Sequence, residues 1–260
     1  MRIDFAYYTN KGHVRQNNQD ALFLDGFGVF GDMKTPLIGY IAESEKAFFS
    51  VVDGAGGHAR GEIASQTIVG EFIKRVDSFR PDGSTLSSDF IEIQNLMTGM
   101  SKKNSELSGM SAALSGASLH SGEITAFNVG DCRTYKMHRG FLKKLTHDHS
   151  IVQILRDNDE IDDDEMRTHP AKNRITSVLM ADSEEVPAVY IDRVKMGANE
   201  ILLICSDGVW ESLPLEAVEN ALSPANIDEM AESLFDALMA SECQDNISFI
   251  LIKTRVEECS

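Results

Sequence analysis

Nowhere does this 260-residue sequence reach the roughly 18 consecutive apolar residues of a membrane-spanning helix. Its opening Met1-Arg-Ile-Asp-Phe5 has no apolar signal core, because Asp4 interrupts it. A cytoplasmic location is therefore expected. Basic residues are scarce, 24 Lys and Arg against 41 Asp and Glu, for a formal net charge of -17. Such a chain repels nucleic acid and anionic membranes, which both need basic patches, and attracts cations or basic partners. Cysteine is rare too. Cys132, Cys205, Cys243 and Cys259 are scattered with no C-x-x-C, which argues against a zinc site and for reduced thiols, with Cys205 in the core. No repeat, linker or low-complexity stretch divides the chain, so one domain over residues 1–260 is expected.

The most informative stretch is Phe48-Phe-Ser-Val-Val-Asp-Gly-Ala-Gly-Gly-His58. Ala47 to Val52 suits a buried strand. Asp53 then sits where the strand leaves the sheet, and the glycines let backbone approach a ligand. From Arg60 the spacing turns helical. Gly54, Gly56 and Ala59 also fit the G-x-G-x-x-A dinucleotide fingerprint. Against that, Asp53 places negative charge beside a pyrophosphate, and no acid-tipped strand follows about 20 residues on. Taken alone, the loop also reads as an acidic turn without a ligand.

The remaining pattern predicts strands at 3–8, 21–24, 111–120, 123–129, 133–137, 141–145, 187–196, 200–205 and 247–256. Residues 26–45 read as an irregular or hairpin insertion. Helices are expected at 60–78, 87–106, 215–222 and 227–240, and a polar, mostly helical segment at 150–176. Ser121-Gly122 and His138-Arg-Gly140 are the hairpin turns. Short turns between strands imply antiparallel sheets. Paired helices between blocks of strands imply an α/β (α+β) fold, a four-layer α-β-β-α sandwich of two mainly antiparallel sheets flanked by helices.

Aspartates recur at the strand ends. Asp53, Asp131 and Asp207 follow strands, each next to a glycine, while Asp20 and Asp245 precede strands. In antiparallel sheets the end of one strand lies beside the start of its neighbour, which brings all five to one edge. Clustered carboxylates repel unless cations neutralise them, and hard oxygen donors select Mg²⁺, Mn²⁺ or Ca²⁺. Two such ions sharing a carboxylate form a site for phosphoester hydrolysis. Arg15, in the loop before Asp20, offers the bidentate fork that a phosphate needs. One at a time, each Asp reads as a turn or cap residue; the shared context is what points to a site.

Five motifs follow one another along the chain: Gly12-His-Val-Arg-Gln-Asn-Asn-Gln-Asp-Ala21, Val52-Asp-Gly-Ala-Gly-Gly-His58, Val129-Gly-Asp-Cys-Arg133, Ser206-Asp-Gly-Val-Trp210 and Asp245-Asn-Ile-Ser248. In this order they resemble the metal-dependent protein serine/threonine phosphatases of the type-2C (PPM) family. The opening and D-G-x-G-G-H forms look bacterial. The resemblance implies hydrolysis of phosphoserine and phosphothreonine in proteins by a metal-activated water at a binuclear Mn²⁺ or Mg²⁺ centre, opposite a cognate kinase. It implies that Asp53 bridges the metals, the Gly54 carbonyl ligates one, and Asp207 and Asp245 ligate the other. Asp20 acts through metal-bound water and Arg15 grips the phosphate. Asp131 matches a third, weaker metal position, and Glu211 stands where some members carry a further acid. The alternative from another class is a catalytically weak or inactive relative that binds phosphoproteins.

The chain departs from the animal pattern at Ala55, where those members place a histidine as a proposed general acid. Gly109-Met-Ser-Ala matches the family's G-T-T-A only loosely, and Gln19 replaces a frequent Glu. His58 reads as a helix cap rather than a proton donor. The acidic run Asp157–Glu165 lacks the glycine of an EF-hand and reads as a solvated helix start. By resemblance, about 147–176 is a flap beside the active site. His147, His149 and His169 share no metal-ligand spacing, and Trp210 reads as core.

Overall fold

The computed structural model describes residues 2–42, 45–56, 59–76, 83–197 and 199–255. Its elements are β1 (Arg2–Asn10), β2 (Asp20–Leu24), β3 (Phe27–Phe30), β4 (Leu37–Ile41), β5 (Lys46–Ala55), α1 (Ala59–Arg75), α2 (Gly83–Lys103), β6 (Ser111–His120), β7 (Glu123–Val129), β8 (Arg133–His138), β9 (Phe141–Lys144), α3 (Ile151–Asp157), α4 (Asp163–Thr168), β10 (Leu179–Met180), β11 (Tyr190–Lys195), β12 (Ile201–Cys205), α5 (Asp207–Trp210), α6 (Leu215–Ala221), α7 (Ile227–Met239) and β13 (Ile247–Arg255). One sheet runs β4-β1-β13-β12-β8-β9 and the other β11-β7-β6-β5-β2-β3, with β10 added beside β6. All of these pairings are antiparallel.

Period-two alternation explains the layers. In β13, Ile250 and Ile252 face the other sheet, while Phe249 and Leu251 face helices. In β5, Phe49 and Val51 point between the sheets and Phe48 and Val52 point outward. The inner layer joins Phe5, Leu22, Phe49, Leu119, Ile204 and Ile250. Outside one sheet, Leu234 and Leu238 of α7 pack on Tyr8 and Phe249. Outside the other, Phe72 of α1 and Phe90 of α2 pack on Phe23 and Phe48. Each such fully buried side chain contributes about 1.5–3 kcal/mol from apolar burial. The expected four-layer sandwich is what forms. Among the described residues, no helix is long and apolar enough to cross a membrane.

Several expectations shift. Residues 26–45 are not one insertion: β3 hairpins with β2 in one sheet, whereas β4 pairs with β1 in the other. Asp53 does not end its strand, because β5 stays paired with β6 as far as Ala55. Gly54 and Ala55 have too little side chain to reveal that continuation by alternation. The segment 150–176 carries two short helices and then leaves helical structure at His169. Two elements escape the pattern, β10 and α5, each too short for periodicity to register. The hairpin turns hold, with left-handed φ at Ser121 and Gly122, and at Arg139 and Gly140.

Candidate active site

Register brings the acids together. Asp20 opens β2 directly opposite Asp53 of β5. Asp131 lies in the turn between β7 and β8, and Asp207 starts α5 immediately beyond β12. Asp245 stands two residues before β13. Cys205 pairs with both Phe249 and Arg133, so the β12 end, the β13 start and the β8 start share one edge. Asp53 is in the electrostatic reach of Asp207, Asp20, Asp245 and Asp131. Glu211, one turn along from Asp207, bears on Asp131 and Asp207.

Tight backbone approaches fix this edge. A Cβ on Gly54 would sit 2.0 Å from the Gly61 carbonyl oxygen, and one on Gly208 would sit 1.9 Å from that of Asn246. Only glycine fits at either position. Asn246 clamps the loop that carries Arg15. Its Nδ2 donates to the carbonyls of Lys11 (3.1 Å) and Asn17 (3.0 Å), and its Oδ1 accepts from the Gln19 amide at 2.9 Å. Asn18 donates to Thr9 Oγ1 at 2.8 Å and accepts from the Asp20 amide at 3.1 Å. Arg15 Nη2 then meets Asp245 Oδ2 at 2.5 Å.

Asp20 and Asp131 are buried; Asp53, Asp207 and Asp245 are half-buried. Desolvation, reinforced by neighbouring acids, holds the carboxyls of Asp20, Asp53, Asp131 and Asp207 above the ordinary aspartate range. Both Asp20 oxygens are buried without a hydrogen-bond partner. The Ser248 and Ser206 hydroxyls nearby soften its shift; Ser248 Oγ also lies 2.8 Å from Thr9 Oγ1, and Ser206 Oγ accepts the Ser248 amide. Burial also raises Glu211, opposed by Lys172. Lys172 reaches from the segment after α4 to pair with Glu211 Oε2, leaving Oε1 buried and unpartnered.

Among the described residues, no three His, Cys, Asp or Glu side chains stand close enough, as placed, to clasp one ion. The donor set still fits a hard cation. It is all oxygen, it is crowded with like charge, and neither buried Asp20 oxygen is engaged in a hydrogen bond.

Behind the acids, Trp210 donates from Nε1 to the Asp131 carbonyl at 3.0 Å, so it is more than core. Arg133 lies over its ring, 3.6 Å from the centroid, and binds Asp148 Oδ2 through Nε (2.9 Å) and Nη2 (2.6 Å). The three histidines bond locally: His147 to Asp157, His149 Nδ1 to the Gly130 amide, and His169 Nδ1 to the Ala171 amide. Asp162 caps α4 in a capping box, as the solvated-helix reading of the acidic run requires. His58 lies outside the described residues. Sequence reasoning missed Lys172 and Asn246. Thirty-nine residues separate Lys172 from Glu211 with no pattern to join them. Asn246 sat inside a quoted motif, and only its three backbone bonds reveal the clamp.

Comparison with known proteins agrees. The family model "Protein phosphatase 2C" matches residues 34–251. The serine/threonine phosphatase stp of Listeria innocua is 26% identical over 264 residues, covering 97% of this chain and 96% of its own. PstP of Mycobacterium tuberculosis is 24% identical over 96% of this chain, which spans 44% of that longer protein. A crystal structure of the M. tuberculosis phosphatase PstP/Ppp superposes with a TM-score of 0.80 at 23% identity, covering 98% of this chain and 100% of that one. Another PstP catalytic-domain structure, in complex with two manganese ions, gives 0.78 at 22%, covering 98% of this chain and 100% of that one. The chain belongs to the protein phosphatase 2C family and is an enzyme, a protein phosphatase.

Proposed function

We propose that this enzyme removes phosphate from phosphoserine and phosphothreonine in proteins, using two divalent cations, Mn²⁺ or Mg²⁺, held at the acidic edge. The relatives named as serine/threonine phosphatases support the substrate class. The observation that carries the reading is the gathering of Asp20, Asp53, Asp131, Asp207 and Asp245 from five separate stretches of the chain, with unpartnered oxygens on Asp20. Asp53, central to the others, would be held in common by the two ions, with the Gly54 carbonyl serving one and Asp207 and Asp245 the other. Asp131 and Glu211 suit a third, weaker ion.

When bound, the cations supply a strongly acidified water and neutralise charge on the phosphoryl oxygens. The chain's own residues do the rest. Asp20, whose two oxygens are buried and unpartnered, would accept hydrogen bonds from water held beside the ions. Arg15, released from Asp245, presents its planar fork to the phosphate. Residues 1–260 act as one phosphatase domain with a flap at about 147–176, where Lys172 meets Glu211. The substrates are phosphoproteins supplied by a cognate kinase.

The test is hydrolysis of a phosphothreonine peptide and of p-nitrophenyl phosphate with Mn²⁺, with Mg²⁺ and with chelator, beside Asp53→Ala. Metal-dependent turnover that the substitution abolishes is expected. Absence of turnover in folded, metal-supplied protein would overturn the reading in favour of a phosphoprotein-binding relative.

A further inference from the structure

The two sheets end in β4 and β9 on one layer and in β3 and β11 on the other. An open edge is a template for another strand, and charged side chains are the usual guard against it. One side of the sandwich is guarded. There β9 carries Lys143 and Lys144, and β11 carries Asp192, Arg193 and Lys195. The opposite side is not guarded. β3 reads Phe-Gly-Val-Phe and β4 reads Leu-Ile-Gly-Tyr-Ile, with no charge in either. These two edges stack, because Tyr7, the β1 partner of Leu37, meets Phe27 of β3 at 6.5 Å between ring centroids. Phe27, Phe30, Leu37, Ile38 and Tyr40 are all exposed, Tyr40 to 67%. Among the described residues, no strand pairs with the outer side of β4.

The β4 strand has the same character read in either direction from Gly39, with two large apolar residues on each side. Laid antiparallel on a second copy about a two-fold axis at Gly39, it sets Ile38 opposite the other copy's Tyr40, twice. Leu37 likewise meets Ile41 on the other face. Aromatic and β-branched residues directly opposite one another are favourable cross-strand pairs. Gly39 puts no side chain on the axis, and the Phe5 ring fills the space where its Cβ would lie, 2.4 Å away. We infer that β4 is a self-association edge, through which two copies of this chain join one sheet of each into a continuous sheet. A foreign strand could supply the backbone bonds, but a second copy brings the matching apolar pairs in register and a second unguarded β3. Such a contact is isologous and closes at two copies. The five exposed side chains offer on the order of 500 Å² per copy, taking roughly 200 Å² for each when fully exposed, so a pair hides about 1,000 Å², the lower bound for a specific interface. Each copy carries a net charge of -17, which opposes the encounter. Beside the patch the charges cancel, since Arg2 lies over the Tyr40 ring and binds Asp4 at 3.0 Å. Added salt therefore screens the repulsion and leaves the apolar contact intact. The approach to β4 also holds the loop that carries Arg15. Asp32 accepts the Lys11 amide at 2.7 Å, and the Met33 carbonyl accepts from Asn10 Nδ2 at 2.9 Å. Pairing through β4 thus braces that loop from behind.

The test is sedimentation velocity on the full chain, run over about a hundredfold range of concentration. A monomer that passes to a dimer as concentration rises is expected, with tighter association at higher salt. Ile38→Glu and Tyr40→Lys should each weaken the dimer about tenfold or more, because each sets a lone charge against an apolar side chain. Both sites are exposed in the single chain, so the variants fold, and a melting temperature equal to that of dilute wild type checks this. Combined, the two substitutions place opposite charges across both symmetric pairs, and the dimer should return. Wild type that stays monomeric throughout would overturn the inference. So would a dimer indifferent to Ile38→Glu, a double variant no tighter than the singles, or growth beyond two copies.

Discussion

Removing Asp148 should damage this protein more than removing Arg133, although the two form one ion pair. Asp148 is 2% exposed and receives Arg133 at 2.9 and 2.6 Å and Lys144 at 3.2 Å. Breaking a buried pair from one side costs about 3–5 kcal/mol, because the partner stays charged and uncompensated. Arg133→Met leaves Asp148 still paired with Lys144, and methionine replaces much of the arginine stem over Trp210. Its cost therefore falls at the low end, about 3 kcal/mol. Asp148→Asn leaves two buried cations facing each other with no carboxylate in contact, so its cost falls at the high end, about 5 kcal/mol. Burial alone would raise the Asp148 pKa, yet Arg133 and Lys144 hold it below the ordinary aspartate range. A depressed carboxyl stabilises the fold above its unfolded value of about 3.9 and loses that contribution as pH falls through its folded value. Urea unfolding at pH 7 and pH 3 reads both effects. The expected order is wild type, Arg133→Met, then Asp148→Asn at pH 7, with the gap from wild type to Asp148→Asn shrinking at pH 3. An Asp148→Asn midpoint at or above that of Arg133→Met would refute the shared-anion account.

Other expectations follow from the acidic edge. Asp53→Asn should lower turnover at least ~100-fold, about 3 kcal/mol of transition-state stabilisation, and should abolish the rise in melting temperature that Mn²⁺ gives wild type; a variant still stabilised by Mn²⁺ would exclude Asp53 as a ligand. Arg15→Ala should raise KM about 10- to 100-fold, the loss of a charge-assisted hydrogen bond of about 1.5–3 kcal/mol, with a smaller change in kcat; unchanged kinetics would remove Arg15 from the phosphate. Lys172→Met should cost about 1–3 kcal/mol in urea unfolding, since Glu211 then keeps two unpartnered oxygens, and an unmoved midpoint would deny the clasp. In chelator, stability should climb as pH falls from 8 toward 6. Asp20 is pushed up to about 7, so the folded chain binds more protons than the unfolded one across that range. Mn²⁺ should flatten the slope by taking the protons' place, and a chelated protein more stable at pH 8 than at pH 6 would reverse the sign.

The strands were legible because their two faces meet different neighbours: Ile250 and Ile252 inward, Phe249 and Leu251 outward. Alternation failed where side chains are absent or partners distant. Gly54 and Ala55 carry β5 past Asp53, and β4 owes its place to pairing with β1 rather than to its own pattern. Asp131 and Asp207 were legible as residues just past strand ends, whereas Asp53 lies inside β5; the convergence of the acids followed from antiparallel pairing. What joins them was not legible. The Asn246 clamp, the Lys172–Glu211 contact and the Arg133–Asp148–Lys144 group all depend on loops closing over long sequence separations.

That division has a physical cause which also explains the architecture. Gathering five carboxylates opposes folding, so the edge must be held by interactions that do not depend on the acids themselves. The ties here are backbone ones. Glycine contacts at Gly54 and Gly208 and the three Asn246 bonds fix the chain whether or not the carboxylates are neutralised. Behind them, the inner layer of Phe49, Ile204 and Ile250 sets the sheet spacing. Asp20, Asp53, Asp131 and Asp207 can therefore stay raised in pKa, a condition that a cation relieves more fully than any side chain nearby. Residues that bind through side-chain type leave a motif in the sequence. Residues that hold the frame, Gly54, Gly208 and Asn246, sit inside the same motifs without showing there what they hold, and these are the positions where substitution should disturb metal affinity without removing a ligand.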